Sequence, residues 1–139
     1  MSRQRRIAMN TPTPRLDAPD DVVFVFGSNL AGRHGKGAAL YARQHYGAVY
    51  GQGDGLQGRS YAVPTKDASI RTLPLDDIAQ HVSRFLAFAD ANPRLRFQVT
   101  AIGCGLAGYT PAQIAPLFRG APGNCTLPEE FIEVLARAS

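Results

Sequence analysis

At 139 residues, 45% hydrophobic and 19% charged, the chain has the size and composition of one soluble globular domain with a proper core. Its net charge of +4 does not mark a nucleic-acid surface on the folded body. The excess is confined to Arg3, Arg5, Arg6 and Arg15, and from Leu16 onward eleven Lys and Arg balance eleven Asp and Glu.

Residues 1–20 form a basic, Pro- and Thr-containing tail whose composition predicts disordered, solvated chain, and residues 21–139 form the single folded domain. Val22–Phe26, continuously β-branched and aromatic, predicts a strand buried on both faces. It leads into a glycine-rich loop, Gly27-Ser28-Asn29-Leu30-Ala31-Gly32-Arg33-His34-Gly35-Lys36-Gly37. Gly37–Tyr46 reads as a helix that Gly47 ends. The glycines at 47, 51, 53, 55 and 58 predict an irregular crossing to the next strand, in which Gly51-Gln52-Gly53-Asp54-Gly55 is either a flap over a site or a flexible connection. Ser60–Val63 is a short strand stopped by Pro64.

Leu75–Ala91 is the clearest helix: Ile78, Val82, Phe85, Leu86 and Ala89 form one apolar stripe. Asp76 and Asp77 complement its dipole, and Asn92-Pro93 closes it. Residues 97–102 predict another strand, followed by a second glycine loop, Gly103-Cys104-Gly105-Leu106-Ala107-Gly108-Tyr109. Thr110 as N-cap and Pro111 at the first position mark a helix entry. Asn124–Leu127 is a last short strand and Glu129–Arg137 a final helix. This alternation predicts an α/β layered domain with a largely parallel sheet.

No apolar run approaches the roughly 20 residues that span a bilayer, and the N-terminus lacks the apolar segment of a secretory signal. Cys104 and Cys125 form no C-x-x-C pair, which argues against a disulfide framework or a zinc site. The expectation is a cytoplasmic protein with no metal, no cofactor and no membrane partner.

A strand, a glycine loop and a helix start together form a place where backbone N–H groups converge on phosphate. Two such loops in so short a chain point to a diphosphate held from both sides. The first loop is not a Walker A, because Leu30 stands where that pattern needs glycine and Gly37 replaces the magnesium-binding Ser or Thr. It is not a dinucleotide fingerprint either, because Gly35-Lys36-Gly37-Ala38-Ala39-Leu40 lacks the third glycine.

Asn29 with its glycine loop, Gly37-Ala38-Ala39, and Ala101-Ile102-Gly103-Cys104-Gly105-Leu106-Ala107-Gly108-Tyr109 resemble the two ligand loops of macrodomains, the ADP-ribose-binding modules. With Val63-Pro64-Thr65-Lys66 between them, the motifs are similar to the Lys-dependent branch, which contains the DarG-type DNA ADP-ribosyl glycohydrolases and the terminal ADP-ribose protein glycohydrolase. Order and spacing match from about Val22 to Pro128. The resemblance implies a three-layer α/β/α fold with a mixed, largely parallel central sheet. It implies ADP-ribose or an ADP-ribosylated macromolecule, nucleic acid included, as the partner.

On that resemblance Ser28, Gly35, Lys36, Gly37, Gly103, Cys104, Gly105, Leu106, Ala107, Gly108 and Tyr109 bind ligand, with Tyr109 covering the distal ribose. Asn29 engages a ribose hydroxyl, and Lys66 attacks or engages the anomeric carbon. A lysine amine attacks only when neutral, which requires burial or nearby cations, and Lys36 is a candidate cation.

Two departures stand out. Ala107 replaces the aspartate that follows the Gly-Cys-Gly-Leu run in the protein-directed enzyme, and the approach to Val22 lacks the Gly-Asp-Ile pattern whose acid reads adenine, leaving Asp20 and Asp21 there. Cys104 reads as loop packing rather than a nucleophile, Cys125 as core, and His45 and His81 as surface residues. His34 is either a ligand contact or an exposed loop imidazole. Two other readings share the loops: a non-catalytic ADP-ribose reader, and a phosphatase acting on ADP-ribose 1″-phosphate. Tight turns in an interaction module are the remaining alternative.

Overall fold

The Val22–Phe26 run becomes the centre of a five-stranded sheet in the computed structural model, which describes residues 21–137. The expected disorder of residues 1–20 lies outside the described residues. In chain order the elements are β1 (Val22–Asn29), α1 (Gly37–His45), β2 (Gly55–Gln57), β3 (Ser60–Lys66), α2 (Leu75–Ala91), β4 (Arg96–Val99), α3 (Pro111–Ile114), β5 (Cys125–Thr126) and α4 (Glu129–Arg137). The sheet order is β2-β3-β1-β4-β5, parallel throughout except where β2 meets β3. The fold is therefore α/β with a mixed, largely parallel sheet. No helix is long and apolar enough to cross a membrane among the described residues.

Both faces of β1 are buried, as its uninterrupted apolar run requires. Phe24 and Phe26 point to α1, where Ala39, Ala42 and Tyr46 meet them. Val23 and Val25 point the other way, into the larger core formed with α2, α3 and α4. The α2 stripe lies as the helical spacing predicts, with Ile78, Val82, Phe85 and Ala89 buried and Leu86 partly so. Phe85 sits edge-on between Tyr61 and Phe97, and burying such a side chain contributes about 1.5–3 kcal/mol.

The boundaries move where tertiary pairing overrides local signals. β1 runs past Phe26 to Asn29, because Gly27 and Ser28 continue to pair with Val63 and Pro64. β3 likewise passes through Pro64: β2 stops at Gly55 opposite Ala62, so no strand on that side calls for the N–H that proline lacks. β4 stops at Val99, because Thr100 turns its N–H and hydroxyl onto the Val25 carbonyl at 3.1 and 2.8 Å. Ile102 is apolar because it enters the core, not because the strand continues.

The glycine-dense crossing is not irregular throughout. It contains β2 and is held by Gln57, whose amide donates to the Gln52 carbonyl at 3.0 Å and accepts from Val49 N at 2.8 Å. Gly53 packs directly against the end of β1: a Cβ there would lie 2.1 Å from the Asn29 carbonyl oxygen. Gly53→Ala should therefore lower stability by about 1–3 kcal/mol or more. Gly123→Ala, where a Cβ meets open space, should stay within about 0.5 kcal/mol of the parent. Urea midpoints of the two variants check this.

Candidate functional site

β1, β3 and β4 are parallel, so their C-terminal ends share one edge of the sheet, the usual position of ligand crevices in α/β proteins. A cleft of about 800 Å³ opens there, within the range of small-molecule sites. Four separate segments line it: Gly27–Asn29 at the end of β1, Gly35–Ala39 at the start of α1, Thr65-Lys66 at the end of β3, and Thr100–Ala107 after β4. Arg33, Ile70, Pro111 and Glu130 complete the wall.

The β1–β3 register slips by one residue at this edge, so that Ser28 pairs with Pro64 but Asn29 with Lys66. Thr65 is the extra residue, and its hydroxyl donates to the Ser28 carbonyl at 3.1 Å. Such a slip re-aims the following side chain. Lys66 ends the strand half-buried in the cleft wall, and no carboxylate pairs with it among the described residues. Arg33 and Lys36 line the same cleft.

On the α1 side, the amides of Gly37, Ala38 and Ala39 precede the helical bond from Leu40 N to the Lys36 carbonyl. Lys36, the N-cap, makes no side-chain capping bond, and the first turn carries no acid. That end of α1 therefore presents partial positive charge at the cleft. The helix entry at Thr110-Pro111 offers no comparable dipole. Thr110 and Gln113 do form a capping box, but α3 is only four residues long before a 3₁₀ turn at Ala115–Phe118.

The glycines sort into two kinds. Gly103 serves the fold, with φ +80° and a site where a Cβ would lie 2.9 Å from Ile114 Cδ1. Gly35 and Gly105 have ordinary φ, and a Cβ on either would meet no atom within 4 Å. Both line the cleft.

Several expected contacts are otherwise occupied. The Asn29 amide donates to the Arg33 carbonyl at 3.0 Å and accepts from Arg33 N at 2.9 Å, closing the first loop on itself. Asn29, 8% exposed, thus clamps the loop from a position in the cleft wall. Ser28 contributes backbone to the cleft wall, while its buried hydroxyl donates to the Gly53 carbonyl. His34 is fully buried; its Nε2 faces the Gln52 carbonyl at 2.9 Å and Gln57 Oε1 at 3.1 Å, so it is neither ligand contact nor exposed loop imidazole. Gly108 and Tyr109 lie outside the cleft lining. Tyr109 packs on the core and donates its hydroxyl to the Leu73 carbonyl at 2.7 Å, so its ring does not cover the cleft. Asp21 pairs with Arg96 at 3.0 Å at the opposite end of β1, and Asp20 lies outside the described residues.

Arg33, Ile70 and Glu130 went unread as cleft residues in the sequence. Glu130, in the first turn of α4, is the acid in the cleft wall, and nothing local distinguishes it from Glu129. Ile70 adopts φ +65°, a conformation that costs a β-branched residue about 1–3 kcal/mol. Asp67 imposes it: its carboxylate accepts from Ser69 N and Arg71 N at 2.8 and 2.9 Å, while its own N–H donates to the Arg71 carbonyl. Those backbone donors, Arg71 N first, hold the Asp67 carboxyl below its ordinary range.

Cys104 lines the cleft, but burial, and then the nearby Glu130 charge, push its thiol up. Its Sγ lies 3.6 Å from the Ile102 carbonyl, to which it donates. The thiol is therefore protonated at neutral pH and reads as packing. Because the thiolate is the reactive form, the rate of Cys104 alkylation by iodoacetamide should go on rising with pH past the ordinary thiol value of 9.0 before it levels off. An inflection near pH 7, followed in a Cys125→Ala background by mass spectrometry, would contradict the assignment. Compared with protein-family models, curated proteins and solved structures, the chain matches none.

Proposed function

We propose that the cleft binds ADP-ribose or a related NAD-derived nucleotide, and that Lys66 cleaves an ADP-ribosyl linkage on nucleic acid or protein. On this reading the two helix-covered faces of the sheet are the outer layers of a macrodomain-like α/β/α fold. The observation that carries the proposal is the pair Gly35 and Gly105. Neither position requires glycine for its backbone angle or for packing, yet both border the cleft, where a Cβ would occupy ligand space. The α1 amides and the cations Arg33 and Lys36 supply what a diphosphate needs.

The reaction uses the Lys66 amine in its neutral form. The nitrogen lone pair forms a bond to the anomeric carbon of the distal ribose, and the bond from that carbon to the acceptor atom breaks with its electron pair moving to the acceptor. The proton shed by the lysine nitrogen goes to the leaving atom. Water then hydrolyses the ribosyl-lysine adduct, returning the amine and releasing ADP-ribose. Lys66 stands half-buried in the cleft wall, and no carboxylate among the described residues pairs with it.

The commitment of Asn29 to Arg33 favours a second reading, a non-catalytic reader of the same nucleotide, because it withdraws one side chain from the chemistry. Calorimetric titration with ADP-ribose tests the shared part. Gly35→Val and Gly105→Val should each weaken binding at least about tenfold while shifting Tm by no more than about 2 °C. Unchanged affinity in both variants would remove the basis for the site. Turnover of ADP-ribosylated DNA and protein then separates the readings: Lys66→Ala should lose about a hundredfold or more in rate while retaining ADP-ribose binding. Saturable binding without product in the parent protein assigns the reader.

A further inference from the structure

Arg33 and Lys36 border the cleft as exposed cations, and two exposed apolar side chains border it as well. Ile70 and Leu106 stand on two different loops, are 37% and 68% exposed, and both line the cleft. Ile70 does so from a backbone conformation that asparagine or glycine would adopt without strain. The two loops are tied together: the Thr72 hydroxyl donates to the Ala107 carbonyl at 3.0 Å, one residue beyond Leu106. Two apolar side chains are thus held at fixed positions in water, one of them against its own backbone preference. Neither placement contributes to the core, since neither side chain belongs to it. Strain that packing does not repay is the kind found at ligand clamps.

We infer that Ile70 and Leu106 form an apolar clamp on the ring of a phosphate-bearing ligand, so that the cleft selects phosphates attached to a ring over free phosphate. This rests on the reading of the cleft as a phosphate site and deepens it, because the amides and cations alone would accept any polyphosphate. The ring is a sugar or a base whose face lies against hydrocarbon while its phosphate reaches the α1 end and the Gly105 backbone.

The strain supplies a test in which stability and binding move in opposite directions. Ile70→Asn should raise Tm by about 2–4 °C, because asparagine tolerates positive φ. It should also weaken ADP-ribose binding about tenfold, because the apolar contact is gone. Ile70→Leu keeps the hydrocarbon and should bind within about threefold of the parent. Leu106→Ser should weaken binding about fivefold with Tm unchanged. Parent affinity in both Ile70→Asn and Leu106→Ser overturns the clamp, as does a fall in Tm for Ile70→Asn, which would make Ile70 a packing residue.

Should the parent protein not bind ADP-ribose, the nucleotide reading fails and the clamp is read separately with 1-naphthyl phosphate and inorganic phosphate. The clamp requires the parent to prefer naphthyl phosphate and both polar variants to lose that preference. No preference in the parent, or one that survives both substitutions, overturns it.

Discussion

The cleft depends on the parallel pairing of β1 with β3 carried one residue out of step at its end. Up to Ser28 the partners advance together; beyond it Asn29 meets Lys66, and Thr65 is the residue left over. In a strand, a shift of one residue exchanges the two faces. Without the slip, Asn29 would stand opposite Thr65 and Lys66 would continue past the pair. The slip is held by the Thr65 hydroxyl on the Ser28 carbonyl and by Leu30 N on the Lys66 carbonyl. The position of the candidate catalytic amine is thus a property of a backbone register.

The first loop is built outward from the same place. Asn29 closes it by a two-way bond with the Arg33 backbone, which starts the chain back toward α1. Behind it lies a polar support that no apolar pattern announces. Gln57, His34 and the Gln52 carbonyl bond one another in a buried group, and Gly53 sits against the Asn29 carbonyl. These bonds couple the loop to the glycine-dense segment 18 to 23 residues away in the chain, while the buried His34 Nδ1 has no hydrogen-bond partner. His34, which reads in the sequence as a ligand contact or an exposed imidazole, and the Ser28 hydroxyl, which reads as a ligand contact, are parts of that support.

The glycines show why composition alone misleads at such a site. Gly53, Gly58 and Gly103 are required by neighbouring atoms, whereas Gly35 and Gly105 are required by nothing in the chain itself. The sequence presents all of them as the same letter. Ile70 is the converse case: an ordinary-looking isoleucine between a serine and an arginine, whose positive φ arises only because the Asp67 turn closes around it.

Much of the framework was legible beforehand, because it is written in local periodicity. The doubly buried run of β1, the Leu75–Ala91 helix with its apolar stripe, the Gly47 stop and the Thr110-Pro111 entry all stand where side-chain spacing and capping chemistry place them. The segments that line the cleft were legible as segments too, since glycine next to a strand end is a local signal. What the sequence could not decide was which atom each residue has to spare. Whether Asn29 has a free amide and whether Tyr109 reaches the cleft depend on partners 4 and 36 residues distant, and whether Glu130 or Ile70 borders it depends on tertiary packing that leaves no periodic trace. Local propensity determined the elements; only the closing of the chain on itself distributed the polar groups between fold and cleft.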